Sequence, residues 1–173
     1  MVRTMLMRPT SLDETAEIER LKQVFKSHNK EVYVDRKLLF WEHHFEAFET
    51  CYPNGHRKEG SIRYIKDMVR VPFGAKLPVF ESEEYKQKTP PRGIATIDYV
   101  IYCRLDELTQ GEWLRDGFIS PDEIIESMQT YYPDINSESM VSYYKFAKYN
   151  PHPSKKELES VLKITKPWEP RKE

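Results

Sequence analysis

The chain is poor in cysteine and has no long apolar run. Its 173 residues include two cysteines, Cys51 and Cys103. Two thiols cannot build the disulfide framework that staples small secreted domains, and they point to a reducing compartment. No apolar segment approaches the roughly 20 residues that a bilayer-spanning helix requires. The opening MVRTMLMRPT lacks the apolar core of a secretory signal. The expectation is a cytoplasmic protein without membrane contact. A dominant charge is also missing: 27 Lys and Arg stand against 28 Asp and Glu, for a net charge of −1. Such a chain is not a general coat for polyanions, so contact with nucleic acid has to come from local patches. There are no internal repeats and no second composition class.

What is present suits one domain with a real core. Aromatics make up 13% of residues, with eleven tyrosines. The reading places one domain over residues 1–150, with long loops at 44–60 and 72–92, followed by a C-terminal helix and tail over 151–173. The most explicit stretch is LRDGFISPDEIIESMQTYYPDI, residues 114–135. Ser120 is an N-cap, Pro121 falls at the first helical position, and Glu123 completes a capping box. Ile124, Ile125 and Met128 form the apolar stripe, and Pro133 ends the helix. Gly117, just ahead, suits a positive φ or a close approach to another backbone. Asp116 therefore sits on a rigid shoulder, although Asp-Gly before a helix is also ordinary turn chemistry.

Periodicity and β-branched content predict the remaining elements. Residues 1–8 read as a strand, 12–27 as a helix, and 31–35 and 37–43 as strands. Residues 45–60 read as a long loop, 61–71 as a strand, and 72–92 as a loop with four prolines. Residues 94–104 form a strand buried on both faces, and 106–114 a short helical turn. Residues 140–149 form the last strand, and Ser154 with Glu157 caps the final helix. The tail KPWEPRKE is expected to be loosely held. This order indicates an α+β chain with helices flanking a curled sheet.

Residues 99–146 resemble the C-terminal half of ASCH domains, members of the PUA-like superfamily. The matching elements are Leu105–Thr109, Asp116–Gly117–Phe118, Ser120, Tyr132–Pro133 and Phe146. The N-terminal half matches less well. The family carries a helix, then Gly-x-Lys-Thr, then a strand ending in Arg. Here the helix is followed by NKEVYVDR, in which Lys30 and Arg36 stand for the Lys and Arg, while the Gly and Thr are absent. The resemblance implies a PUA-like β-barrel with flanking helices and a cleft that binds RNA or a nucleotide. It also implies an alternative, an amidohydrolase that acts on a modified nucleoside such as acetylated cytidine through a Lys, a Thr and a Glu. Lys30, Tyr33 and Asp116 would take those positions.

Read from the residues alone, hydrolysis needs a lysine with a lowered pKa, an acid beside it and an oxyanion donor. Binding asks for aromatic platforms beside cations. Lys30, Arg36, Trp41, Arg63, Tyr64, Lys66, Lys145 and Lys148 are the candidate nucleic-acid contacts, drawn mainly from the basic stretches 56–70 and 143–156. The same alternation of Tyr and Lys also arises from sheet propensity and solubility. A third reading is a protein-interaction scaffold that uses the long loops. No cofactor is expected. His43, His44, Cys51 and His56 match no common zinc spacing, so no metal is expected either.

Overall fold

A computed structural model describes residues 5–7, 19–20, 22–23, 31–66 and 68–168. Its spine is two long antiparallel strands, β7 (Gly93–Arg104) and β8 (Met140–Asn150). They pair from Ile94↔Asn150 to Arg104↔Met140. The apolar run of β7 is buried on both faces, as its composition requires. Ala95, Ile97, Val100 and Tyr102 enter one core cluster, and Ile101 and Cys103 enter a second. The change of parity between Ile97 and Val100 follows from the register shifts at Thr96–Tyr99, because a one-residue slip flips side chains to the other face.

Around this spine, β6 (Lys76–Glu81) pairs with the first half of β7, and β1 (Met5–Met7) with the second. β3 (Leu38–Phe40) runs parallel to β6, and β4 (Gly60–Tyr64) runs antiparallel to β8. The sheet order is β3-β6-β7-β8-β4, curled into a half-barrel. β2 (Glu31–Asp35) and β5 (Met68–Pro72) make a separate parallel pair. Buried Asp35 ties that pair to the main sheet, accepting from Arg70 Nη1 at 2.7 Å and from the Tyr144 hydroxyl at 2.8 Å. The helices are α1 (Glu42–Glu49), α2 (Ser82–Lys86), α3 (Gln110–Arg115), α4 (Pro121–Gln129) and α5 (Lys155–Thr165). The class is α+β. No described helix is long and apolar enough to cross a membrane.

Several elements differ from the sequence reading. Residues 45–60 are not simply a loop, because α1 fills the first part and buries Phe45, Ala47 and Phe48. The strand expected over 37–43 therefore stops at Phe40. Residues 61–71 split into β4 and β5, which join different sheets. The expected loop 72–92 contains β6 and α2 despite its prolines. The Val79 carbonyl accepts from the Arg92 N–H, so the backbone groups of Pro78 face the other side, where pairing with β3 begins only at Val79. The tail is held as far as Trp168, whose ring lies 5.3 Å from Phe80 and stacks on Tyr85. Both expected caps form: Ser154 and Glu157 bond reciprocally, and Ser120 Oγ accepts from the Glu123 N–H without a return bond. Of the helix expected over 12–27, Glu19, Arg20, Lys22 and Gln23 are described, and they are helical.

Candidate functional site

The turn after α1 delivers Lys58 into the interior. Gly55, at φ +86°, closes this turn, and the Lys58 N–H bonds the Ala47 carbonyl. The side chain then passes beneath α1, with Nζ 4.4 Å from the centre of the Phe40 ring and 5.8 Å from that of Tyr52. These ring faces solvate the cation where water cannot. Nζ donates to Asp116 Oδ1 at 2.6 Å and to the Gly60 carbonyl at 3.1 Å. Burial pushes the Lys58 ammonium below the usual lysine range, while the Asp116 carboxylate pulls it back up.

Asp116 arrives from the C-terminal end of α3, where Thr109 and Glu112 form a capping box at the other end. Its second oxygen accepts from the Ile62 N–H at 2.9 Å. The carboxylate thus bridges the lysine and the middle of β4. Gly117 has φ +89°, and a Cβ there would meet the Tyr52 ring at 2.9 Å. The positive φ expected of this glycine is present, and its close neighbour is the Tyr52 ring rather than another backbone.

Ser61 and Arg63 follow on β4. Ser61 is buried, and its Oγ accepts from Arg63 Nε at 3.2 Å. The hydroxyl proton has no acceptor among the described residues. The Arg63 guanidinium lies over Phe40 and Tyr144, and its Nη2 is buried without a hydrogen-bond partner. A buried donor in that state costs free energy unless something fills it. From α1, His44 Nδ1 meets the Tyr52 hydroxyl at 2.6 Å. Burial, then Lys58, His43 and Arg63, drive its pKa down to about 2, so the ring is neutral.

These groups border one cleft of about 450 Å³. Its rim is aromatic: Trp41 at the start of α1, and Tyr131 and Tyr132 beyond α4, are 44%, 66% and 40% exposed. The interior can therefore donate hydrogen bonds to a ligand, and the rim can stack on planar groups. Among the described residues, no three His, Cys, Asp or Glu converge as a metal centre would require.

Of the residues expected at the site, the structure brings Trp41, Arg63 and Asp116 together in the cleft. Lys30 lies outside the described residues. Tyr33 sits on β2 under the Arg70 guanidinium, and Arg36 packs over Phe73. Neither Tyr33 nor Arg36 borders the cleft. Tyr64 meets Tyr132 edge-on, and Lys66 lies 3.9 Å from Asp134. Lys148 lines a separate cavity of about 290 Å³, and Lys145 lies 3.7 Å from Glu59, which lines that same cavity. The sequence reading missed the roles of Lys58, Ser61, His44 and Tyr52. A signal was available for two of them. Gly55, Lys58, Ser61 and Arg63 repeat, in order, a glycine, a lysine, a hydroxyl residue and an arginine on a strand.

No protein-family profile matches the chain, and no curated protein matches it by sequence. Two solved structures are similar to it. One is a tyrosine-to-phenylalanine variant of an ASCH protein from Zymomonas mobilis, 15% identical, with a TM-score of 0.45 over 82% of this chain and 86% of that one. The other is a DUF984 protein from Enterococcus faecalis V583, 11% identical, with a TM-score of 0.42 over 81% of this chain and 98% of that one.

Proposed function

We propose that the cleft takes a nucleotide and that the chain is a PUA-like nucleic-acid- or nucleotide-binding module, with RNA its preferred polymer. One observation carries this reading: Arg63 Nη2 is buried without an acceptor in a cavity of about 450 Å³ whose rim is exposed aromatic surface. A base edge supplies acceptors, and the exposed rings can stack on neighbouring bases. The preference for RNA follows from the resemblance of residues 99–146. The test is fluorescence anisotropy with short single-stranded RNA, duplex RNA and DNA at two salt concentrations. Saturable binding that weakens with salt and is lost in Arg63→Ala supports the module. Absence of binding to every polymer and to free nucleosides refutes it.

A second reading is favoured by Lys58, Ser61 and Asp116. They give a buried amine with a lowered pKa, a carboxylate bonded to it, and a hydroxyl whose proton is unassigned. That is the equipment of an amide hydrolase acting on an acylated nucleoside such as acetylated cytidine. Lys58 as free amine would accept the Ser61 proton while Oγ bonds the acyl carbon, and Arg63 would hold the oxyanion. The C–N bond then breaks as the proton passes to the departing nitrogen, and water releases acetate from the serine. Release of cytidine by the wild type but not by Ser61→Ala would establish this activity. Equal release by both would exclude Ser61 as the nucleophile.

A further inference from the structure

The hydrogen-bond state of the His44 ring follows from its partners. Its Nδ1 is 2.6 Å from the Tyr52 hydroxyl, and among the described residues neither side chain has another hydrogen-bond partner. Two arrangements satisfy this distance. If Nδ1–H donated, the Tyr52 proton would be left without an acceptor in a buried position. If the Tyr52 hydroxyl donates to the Nδ1 lone pair, its donor is satisfied and the ring proton resides on Nε2. The cationic neighbours Lys58 and Arg63, together with His43, oppose a second ring proton, and no carboxylate bonds the ring to offset them. His44 borders the cleft, as Arg63 does.

We propose that His44 presents a fixed Nε2–H donor to the cleft, and that with Arg63 Nη2 it selects a base edge carrying two neighbouring acceptors. This rests on the nucleotide reading of the same cleft and assigns its specificity. Cytosine offers N3 and O2, and guanine offers N7 and O6. Uracil places an N3–H donor between its two oxygens, and a donor facing a donor leaves both unpaired. A neutral histidine free to exchange tautomers would accept either edge. The Tyr52 hydroxyl removes that freedom, so Tyr52 is a positioning residue here.

Two measurements test this on the whole protein. Long-range ¹H–¹⁵N NMR of the imidazole is expected to show the Nε2–H tautomer for His44, without titration between pH 5 and 8. An Nδ1–H tautomer, or a transition near neutral pH, overturns the assignment. Titration with cytidine, guanosine and uridine is expected to show uridine weaker than the other two by about tenfold or more. Tyr52→Phe should release the tautomer and shrink that ratio towards one. His44→Gln, which keeps an N–H donor, should preserve more of the ratio than His44→Leu. Equal affinities for all three nucleosides overturn the selectivity. No affinity for any of them overturns the selectivity, and the nucleotide reading falls with it only if every polymer fails to bind as well, while the NMR result still judges the tautomer.

Discussion

Replacing Asp116 by alanine or Lys58 by methionine alone is expected to destabilise the protein far more than removing both charges together. In Asp116→Ala the ammonium stays where it is, fully enclosed and resting on Phe40, with only the Gly60 carbonyl to bond. Leaving one partner of a buried pair costs about 3–5 kcal/mol. The Ile62 N–H also loses its acceptor. For a chain of this length each kcal/mol lowers the Tm by about 2–4 °C, so a drop on the order of 10 °C is expected. In Lys58→Met the thioether suits the ring-lined channel, but the carboxylate is left buried without its cation and keeps the Ile62 N–H. Removing both charges in Lys58→Met/Asp116→Leu should leave the protein within about 2 kcal/mol of wild type, since buried pairs exchange for apolar side chains at little net cost. Urea unfolding of the wild type, Lys58→Met, Asp116→Leu and the double variant gives the coupling energy directly. If the two single changes cost less than about 1 kcal/mol each and simply add, Lys58 is not held as a buried cation and this reasoning fails.

Two further outcomes follow. His44 has its pKa depressed from 6.5 to about 2 in the fold, so the unfolded chain takes up a proton that the native ring refuses. Stability from this residue is complete above pH 6.5 and falls as the pH drops towards 2, by on the order of 2–3 kcal/mol at pH 4.5. His44→Gln should flatten the acid limb of stability against pH, and identical limbs would contradict the assignment. Gly117→Ala should cost about 1–3 kcal/mol, because φ +89° is strained for alanine and the new Cβ meets the Tyr52 ring. Gly111→Ala in α3, whose nearest neighbour is the Arg115 side chain at 3.4 Å, should be neutral or stabilising in the same thermal melt.

The elements legible from sequence were those with local causes. Ser120 and Pro121 specify the start of α4 regardless of what it packs against, and the apolar run of β7 specifies a strand covered on both sides. α1 was missed because no side chain caps it at Trp41, and its buried Phe45 and Phe48 follow directly on the strand-like Leu38–Phe40. β6 was missed because proline normally breaks a sheet, and only the short length of β3 makes Pro78 acceptable. At the cleft, the position of Asp116 is legible because the glycine shoulder beside it leaves a trace in sequence. In the sequence Lys58 is one cation in a basic stretch. Nothing local distinguishes a solvated lysine from a buried one, since its burial depends on Phe40, Tyr52 and Asp116 arriving from elsewhere.

That dependence has a consequence in time. Lys58 and Asp116 are separated by 58 positions. The sheet partner of β4 among the described residues is β8, whose paired residues begin at Val141. A ribosome adding roughly 5–20 residues per second needs some seconds to bring Asp116 out after Lys58. During that interval the lysine has no counter-ion and β4 has no neighbour, so the charged side chain keeps this end of the nascent chain hydrated. The Lys58–Asp116 pair and the pairing of β4 therefore cannot be complete until the chain has been made past Val141.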